Sequence, residues 1–494
     1  MKLRYVNMKT NVLFFISAFI LFYNAGAQSV LKSSGASDIP AMEQKAQAAK
    51  QRSVLSGAPD NYDLKYHRCE WEIDPAVYFI KGAITSYFKP TVSGFNQIAF
   101  DFSDSLDVDS VKYHNSVLSS IQLGGDVIQI SLPSVIPINT LDSITVYYHG
   151  VPPSTGFGSF IQSTHNGVPV VWTLSEPFGA KEWWPCKQSL NDKIDSVDIF
   201  ITTPQIYRAA SNGLLLSENI SGNSKIYHWK TRYPVAAYLI AAAVTNYSTY
   251  SDFVPLPGGD SLQVLNYVYP EGDSLARTLT PAIIEIIKFY DSIAVTYPFA
   301  NEKYGHAQFG WGGGMEHQTM SFVVGFNYSL IAHECAHQWF GDHITCGSWQ
   351  DIWLNEGFAT YFEGLTVERY FPGNWLQWKT SAVNNITSWP GGSVLCDDTT
   401  SVNRIFDGRL SYNKGGYLLH MLRWKLGDSI FFLSLKNYLN DPLLAGKYAR
   451  TPDLIAHFEA ASNQSLTSFF NQWYYNQGFP SYHLLWGQTG SDVT

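Results

Sequence analysis

Two histidines and a glutamate lie close together in the segment "HECAHQW" at positions 333–339. In an α-helix, residues i and i+4 lie on one face, so His333 and His337 can direct their imidazole rings at one point. Glu334 is rotated from them by about 100° and can reach a group bound there without ligating it. The H-E-x-x-H pattern therefore predicts two zinc ligands and a general base.

A third candidate ligand, Glu356 in "WLNEGFATYFE", follows His337 after eighteen intervening residues. A pair of helices could bring its carboxylate to the same metal ion. Two histidines and one glutamate leave a fourth coordination position for water, which is typical of a catalytic rather than a structural zinc site. The alternative is a solvated charge at a helix start, and the neighbouring Trp353, Leu354 and Phe358 disfavour exposure.

Helical periodicity positions these residues. Beyond residue 270, apolar residues recur three or four apart, which predicts an amphipathic helix. Further helices are predicted over 330–340, 354–370, 412–426, 429–439, 452–462 and 466–476. Gly341 is the expected carboxy-terminal cap of the first of these. The part from 251 to 480 is therefore expected to be a mostly helical catalytic domain.

The preceding part has a different pattern. From 61 to 250, short runs of Val, Ile, Tyr and Phe are broken by Gly, Asn, Pro and Asp every eight to twelve residues or so, which is typical of an antiparallel β-sandwich. At 494 residues the chain is too long for one core. We predict an α+β multidomain protein, with an N-terminal antiparallel β-sandwich followed by the helical domain.

The amino terminus has the features of a secretory signal. Lys2, Arg4 and Lys9 precede the apolar run "NVLFFISAFILF", and the small-residue site Ala25-Gly26-Ala27 follows. We predict a cleaved signal over 1–27 and a secreted, periplasmic or extracellular protein. The alternative is an uncleaved amino-terminal membrane anchor. Residues 28–60 are rich in Ser, Ala, Gln and Lys and are predicted to be a lead-in segment.

Composition excludes several classes of protein. Hydrophobic residues make up 45% of the chain and charged residues 15%, which indicates a folded globular protein. The formal net charge is −9, and removal of the signal would make it more negative, so nucleic acid is not an expected partner. No stable membrane insertion is expected. Five cysteines permit at most two disulfides, which the sequence cannot pair.

The segments "GGGMEH", "HECAHQWFGD" and "WLNEGFATYFEG" together resemble the zinc aminopeptidases of the membrane-alanyl-aminopeptidase type, the gluzincin family with H-E-x-x-H, eighteen residues and E. The resemblance covers roughly residues 61–480. It implies one Zn²⁺ ion, peptide substrates with a free amino terminus, and a thermolysin-like fold for the catalytic domain. It also implies a further β domain, of which 481–494 would be the truncated start.

In that family, the glutamate of a G-x-M-E-N loop binds the free α-amine of the substrate. Glu316 in Gly313-Gly314-Met315-Glu316-His317 occupies that position. A carboxylate beside the metal favours a charged terminus over an internal amide, and the glycines would let an extended peptide approach closely. His317 replaces the usual asparagine, which leaves the hydrogen bonding of the loop open.

Two more residues are assigned by the resemblance. A second amine-binding acid belongs to a Q-x-E segment ahead of a P-C pair, and Glu176 matches it although Leu174 replaces the glutamine. An exposed loop glutamate is the alternative for Glu176. A tyrosine ahead of a K-G pair stabilises the transition state, and Tyr412 in "YNKGG" matches it. Its phenol could donate a hydrogen bond to the developing oxyanion.

The sequence thus predicts a zinc-dependent aminopeptidase that removes amino-terminal residues through a metal-activated water. Two alternatives stay open. One is an endopeptidase of thermolysin type, which has the same zinc ligands but no acid that recognises the amine. The other is a non-catalytic zinc-binding module. Epoxide hydrolysis is disfavoured, because the branch of the family that performs it has a second tyrosine where this chain has Asp407.

Overall fold

A computed structural model describes residues 57–153, 159–256, 259–482, 485–489 and 492–493. The predicted signal and most of the predicted lead-in segment lie outside these residues. Within the described ranges, none of the helices combines the length and the apolar character that a membrane span requires.

The first part of the chain consists of strands and short turns. Its strands are β1 (Tyr62–Glu72), β2 (Ile80–Pro90), β3 (Phe95–Asp101), β4 (Leu106–Tyr113), β5 (Ser116–Leu118), β6 (Ser120–Gln122), β7 (Val127–Ile136), β8 (Asp142–Gly150), β9 (Phe160–His165), β10 (Val168–Thr173), β11 (Ser196–Pro204), β12 (Arg208–Ser211), β13 (Leu214–Ser221), β14 (Ser224–Thr231) and β15 (Ala242–Thr245). Buried and more exposed residues alternate along β1 and β2, as expected for strands with one face on the core.

These strands form three sheets. The orders are β13-β14-β11-β1-β2-β8-β4-β5, β3-β7-β6 and β12-β15-β10-β9. The prediction of a β-rich amino-terminal part is confirmed, but its purely antiparallel character is wrong, because β1 and β11 pair in parallel. A parallel pair needs a crossover connection, and strands β2 to β10 lie in the chain between the two partners.

A further sheet follows at the predicted division between the two parts. Its strands are β16 (Ser248–Pro255), β17 (Ser261–Val268), β18 (Tyr304–Gln308), β19 (Gly314–Met315) and β20 (Ser321–Val323), in the order β16-β17-β18-β20-β19. The predicted boundary at residue 250 falls inside β16. This sheet was not predicted, because β18 to β20 are short and almost wholly buried, so no alternation of apolar and polar residues marks them.

The rest of the chain is mostly helical, as predicted. The α-helices are α1 (Asp273–Leu279), α2 (Ala282–Ile293), α3 (Tyr328–Ala336), α4 (Trp353–Tyr370), α5 (Pro372–Thr387), α6 (Val402–Ile405), α7 (Gly415–Leu426), α8 (Asp428–Asn440), α9 (Thr451–Ser462) and α10 (Thr467–Phe470). Wider π-helical turns cover Gly408–Lys414 and Asn471–Tyr475, and short strands β21 (Thr345–Cys346), β22 (Tyr448–Ala449), β23 (Gln488–Thr489) and β24 (Asp492–Val493) complete the elements.

Two details of the helix predictions are wrong. The helix predicted over 330–340 ends at Ala336, and Gly341 lies in the loop beyond it with φ of +129° rather than capping it. Helix α5 was not predicted, because Pro372-Gly373 has the composition of a turn although Pro is well suited to the first turn of a helix.

The expectation that the chain is too long for one core is wrong, because one buried apolar cluster runs through both parts, from Tyr62 on β1 to Tyr474 near the end of the helical part. All five cysteines lie within the described residues, and each is buried and free. Packing rather than disulfide bonds therefore holds the two parts together.

Candidate active site

Helix α3 carries the two histidines. Asn327 begins the helix, and its side-chain oxygen accepts a hydrogen bond from the backbone N–H of Leu330 at 2.9 Å. His333 lies on the last turn and His337 directly after it, so the two rings face each other. Their Nε2 atoms are 3.2 Å apart and both residues are buried.

Helix α4 supplies the third donor near its amino end. The Oε2 atom of Glu356 lies 3.5 Å from Nε2 of His333 and 3.4 Å from Nε2 of His337. Three donors at about 2.0–2.2 Å from a tetrahedral centre would be separated by about 3.4 Å. The three predicted ligands therefore converge, and their spacing fits a zinc ion.

The protonation of these donors also suits a metal ion. Burial lowers the pKa of His333 to about 4, although the Glu356 carboxylate opposes the shift, so the imidazole is neutral at pH 7. Burial alone would raise the pKa of Glu356, but His337 and His333 hold it well below its usual range. Nδ1 of His337 lies 3.0 Å from the carbonyl oxygen of Phe340, which accepts its N–H and directs Nε2 toward His333 and Glu356.

The carboxylate of Glu334 packs against the edge strand β19. A Cβ atom added at Gly314 would lie only 2.2 Å from Oε1 of Glu334, so a glycine is required for this contact. Its neighbour Gly313 accepts a hydrogen bond from the N–H of Val324 at 3.0 Å. The glycine segment thus brings backbone directly beside the predicted general base.

The two predicted amine-binding acids also reach the metal site. One side-chain oxygen of Glu176, one of Glu316 and one of Glu356 lie within 4.8 Å of one another, and all three residues are buried. A side-chain oxygen of Glu316 also lies within 4.8 Å of donor atoms of Glu334 and His337. Glu176 is therefore not the exposed loop residue that the alternative required.

Burial raises the pKa of Glu316 to about 7, His337 opposes this shift, and Glu356 adds to it. A carboxyl group with such surroundings is stabilised as an anion when a cation binds beside it. The acidic cluster is therefore suited to an ammonium group as well as to a metal ion.

The ring of Tyr412 stacks beside the ring of His333. The two rings are nearly parallel, at 12°, with centroids 6.1 Å apart, and Tyr412 is buried. It belongs to the π-helical turn that Asp407 begins by accepting hydrogen bonds from the N–H groups of Arg409 and Leu410. Such turns occur frequently at functional sites.

Tyr238 is a residue of this site that was not predicted from the sequence. Tyr238 is buried, and its hydroxyl accepts a hydrogen bond at 3.4 Å from Nδ2 of Asn355, the residue before Glu356. Burial, with the nearby Glu176 and Glu316, raises the pKa of Tyr238 well above its usual range. It lies in a long apolar run, so nothing in its local sequence distinguishes it from a core tyrosine.

Comparisons with known proteins agree with this geometry. Residues 325–473 match the model of the peptidase family M1 domain. Aminopeptidase M1 of Arabidopsis thaliana is 27% identical over 65% of this chain, and glutamyl aminopeptidase of Rattus norvegicus is 27% identical over 62%. The chain spans only 39% and 34%, respectively, of the length of these curated relatives.

Solved structures share the fold over nearly all of their length. An M1 zinc metallopeptidase from Deinococcus radiodurans gives a TM-score of 0.75 at 20% identity, covering 88% of this chain and 98% of that one. A mutant of a two-domain M1 zinc metallopeptidase bound to L-tryptophan also gives 0.75, at 21% identity, covering 88% and 99%. Together, the motifs, the converging ligands and these matches show that residues 325–473 form a peptidase family M1 domain and that the chain is similar to the gluzincin aminopeptidases of that family.

Proposed function

We propose that this protein is a zinc-dependent aminopeptidase that hydrolyses the amino-terminal peptide bond of peptides. The observation that carries the proposal is the position of Glu176 and Glu316, two buried acids beside the ligand Glu356. An endopeptidase has no use for acids at this point, whereas an exopeptidase must recognise a terminal ammonium.

When bound, a zinc ion held by His333, His337 and Glu356 would supply Lewis-acid chemistry to a water molecule and to the scissile carbonyl. Glu334 accepts a proton from the attacking water and delivers it to the leaving amine. Tyr412 donates a hydrogen bond to the oxyanion that develops on the attacked carbonyl.

Recognition of the substrate would come from the acids and from the glycine segment. Glu316 and Glu176 bind the α-ammonium group, which fixes the distance from the amino terminus to the reacting carbonyl. Strand β19 is the edge of its sheet, so an extended peptide can lie along the backbone of Gly313 and Gly314. Structures of M1 zinc metallopeptidase mutants with this fold have been solved with bound L-arginine and with a bound Tyr-Ser-Ala substrate, which supports a peptide as the substrate here.

Finer features of the prediction belong to the same proposal. We propose that residues 251–480 have a thermolysin-like arrangement and that the β-rich part ends near residue 250. We also propose that the chain is exported after removal of residues 1–27. Secretion can be tested by fractionating cells and determining the amino-terminal residue of the exported protein.

The test of function compares an aminoacyl fluorogenic substrate with its N-acetylated counterpart, with and without a metal chelator. The free substrate should be hydrolysed, the acetylated one should not, and chelation should abolish turnover until zinc is restored. Equal hydrolysis of both substrates would instead indicate the endopeptidase. Zinc binding without turnover of any peptide would indicate the non-catalytic module.

A substitution at Glu316 tests whether this residue recognises the amino terminus of the substrate. Glu316→Gln should reduce the preference for the free amino terminus by about 10-fold or more, since a charge-assisted hydrogen bond is lost. Glu302→Gln is the matched control: Glu302 is also buried, but it accepts a hydrogen bond from the backbone N–H of Arg232. An unchanged preference in Glu316→Gln would mean that another residue recognises the amine.

A further inference from the structure

A buried lysine connects the β-rich part to the end of the histidine helix. Lys193 lies between β10 and β11, and only 7% of it is exposed. Its Nζ atom donates hydrogen bonds to the carbonyl oxygens of Asp342 at 2.7 Å and His343 at 3.2 Å. A lysine is rarely buried to this extent, because its charge is poorly solvated away from water.

The two carbonyl groups belong to the loop that orients a metal ligand. This loop, residues 337–345, follows α3. Its Phe340 carbonyl accepts the Nδ1–H of His337, and the N–H of Asp342 bonds to the carbonyl of His337 at 3.0 Å. Lys193 therefore holds the loop two and three residues beyond the carbonyl that sets the His337 ring.

The residues on both sides of Lys193 are anchored in the β-rich part. The carboxylate of Asp192 accepts a hydrogen bond from the N–H of Leu64 on β1 at 3.2 Å. Ile194 and Val235 exchange two backbone hydrogen bonds, at 2.9 and 3.0 Å. The backbone at Lys193 is thus fixed in the β-rich part, while its side chain bonds to the loop after α3. The position of this loop therefore depends on the position of the β-rich part.

We propose that Lys193 is a positioning residue for the metal centre, which fixes the Phe340 carbonyl and hence the ring of His337. Metal affinity then depends on how the β-rich part is docked against the helical part. The inference rests on the metal site of the proposed function but not on its peptide substrate. Lys193 itself touches none of the three metal donors, so its effect is indirect.

The test uses Lys193→Met, which keeps the length of the side chain and removes its donors. Zinc affinity is measured by competition with a chromogenic chelator, and the visible spectrum of the cobalt(II)-substituted protein reports the ligand geometry. We expect zinc to bind about 10-fold more weakly or worse, as for other groups that orient metal ligands, and the cobalt spectrum to change.

Lys181→Met is the matched control. Lys181 is also buried and also lies between β10 and β11, but its Nζ pairs with the carboxylate of Asp126 at 3.1 Å. Both variants should unfold at lower temperature than the parent protein. The control should retain the parent zinc affinity and cobalt spectrum, because its contacts do not reach the metal loop.

The outcomes separate cleanly. If Lys193→Met binds zinc like the parent and gives the same cobalt spectrum, the inference is wrong. If it does not fold, Lys193→Gln takes its place, and failure of both to fold would assign Lys193 to folding and overturn the proposal. If the zinc-loaded parent cleaves no peptide and Lys193→Met still binds zinc more weakly, the result would support the role of Lys193 and refute the proposed activity.

Discussion

Four buried carboxylates surround the two histidines of the site: Glu176, Glu316, Glu334 and Glu356. Carboxylates this close repel one another and are poorly solvated, so the cluster needs cations to stay charged. A zinc ion and the ammonium group of a peptide would provide two. The acidic pocket is therefore complementary to the metal and to a free amino terminus at the same time.

The role of Glu334 is tested by Glu334→Gln, which keeps the size of the side chain beside Gly314 and removes its basicity. We expect kcat to fall by about 10³-fold or more while zinc stays bound, because the attacking water loses its proton acceptor. Turnover and zinc content are measured on the same sample. A variant that retains most of the activity would exclude Glu334 as the base.

The role of Tyr412 is tested by Tyr412→Phe, which keeps the ring beside His333 and removes the hydroxyl. We expect kcat to fall by about 10²–10³-fold with little change in KM, as for loss of one oxyanion donor. Tyr361→Phe, which alters another buried tyrosine outside the site, is the control. If kcat of Tyr412→Phe matched the parent, the assignment to the oxyanion would be wrong.

Among the elements, α4 and α7 approach each other unusually closely. A Cβ atom at Gly357 would lie 3.0 Å from the backbone carbonyl carbon of Gly415 and 3.1 Å from its Cα. Gly357 follows the ligand Glu356, and Gly415 lies three residues after Tyr412. This contact between backbones thus sets the distance between the third metal ligand and the tyrosine.

Gly357→Ala should therefore separate the two helices. We expect the free energy of unfolding to fall by about 1–3 kcal/mol, because the backbone atoms of Gly415 cannot move aside as a flexible side chain can. We also expect kcat to fall by about 10-fold or more, since small displacements of catalytic groups are costly. Urea unfolding and steady-state kinetics provide the two measurements.

Gly373→Ala serves as the control for that substitution. Gly373 is an exposed position of α5, and a Cβ atom there would meet nothing within 4 Å. This control should unfold at the same or a higher urea concentration and keep the parent kcat. Parent-like kinetics in Gly357→Ala would show that the close crossing does not position the site.

Three helices meet at a further buried acid, Glu363 of α4, which lies outside the cluster of four carboxylates. Its carboxylate accepts a hydrogen bond from Oγ of Ser329 on α3 and another from Nε1 of Trp378 on α5, both at 2.8 Å. Burial raises the pKa of Glu363 to about 7. The folded protein keeps this proton to higher pH than the unfolded chain, so the free energy of unfolding falls as pH rises from about 4.5 to about 7.

Glu363→Gln should remove this dependence, because the amide does not ionise and can still pair with both neighbours. As pH rises from 4.5 to 7.5, the free energy of unfolding of the variant should increase relative to that of the parent by on the order of 2 kcal/mol. Urea unfolding at several pH values measures the difference, and Glu285→Gln on the exposed face of α2 is the control. If the free energies of unfolding of parent and variant changed with pH in the same way, the raised pKa of Glu363 would be contradicted.

Prediction from sequence succeeded where structure is local. The convergence of His333 and His337 follows from helix geometry alone, since their positions are i and i+4. The meeting of Glu176 and Glu316 is a tertiary contact between two distant segments, so only the family resemblance could suggest it. Tyr238 lacked both a local pattern and a motif, and it was missed.

The same distinction applies to the elements. Helix α4 was predicted nearly to its ends, because its pattern is long and periodic. The parallel pairing of β1 and β11 depends on a crossover that no local pattern records. The loop after α3 could not be predicted either, because the buried Lys193 from the other part of the chain holds it.

At the scale of the molecule, the β-rich part and the helical part share an apolar core. Hydrogen bonds near the site also connect them. Asn212, between β12 and β13, donates from Nδ2 to the carbonyl oxygen of Gln318 at 2.8 Å. The N–H of Gly213 donates to Oγ1 of Thr319 at 2.7 Å. These contacts hold the segment that directly follows Glu316, so the β-rich part supports both Glu316 and, through Lys193, the loop after α3.

The two parts should consequently unfold as one unit whose stability depends on zinc. Calorimetry of the zinc-loaded protein should show a single transition, because one core and these contacts span both parts. Removing zinc should lower the midpoint of that whole transition, since a ligand at 1,000 times its Kd adds about 4 kcal/mol to the folded state. Two separate transitions, of which zinc moves only one, would show that the parts are energetically independent and that docking does not support the metal centre.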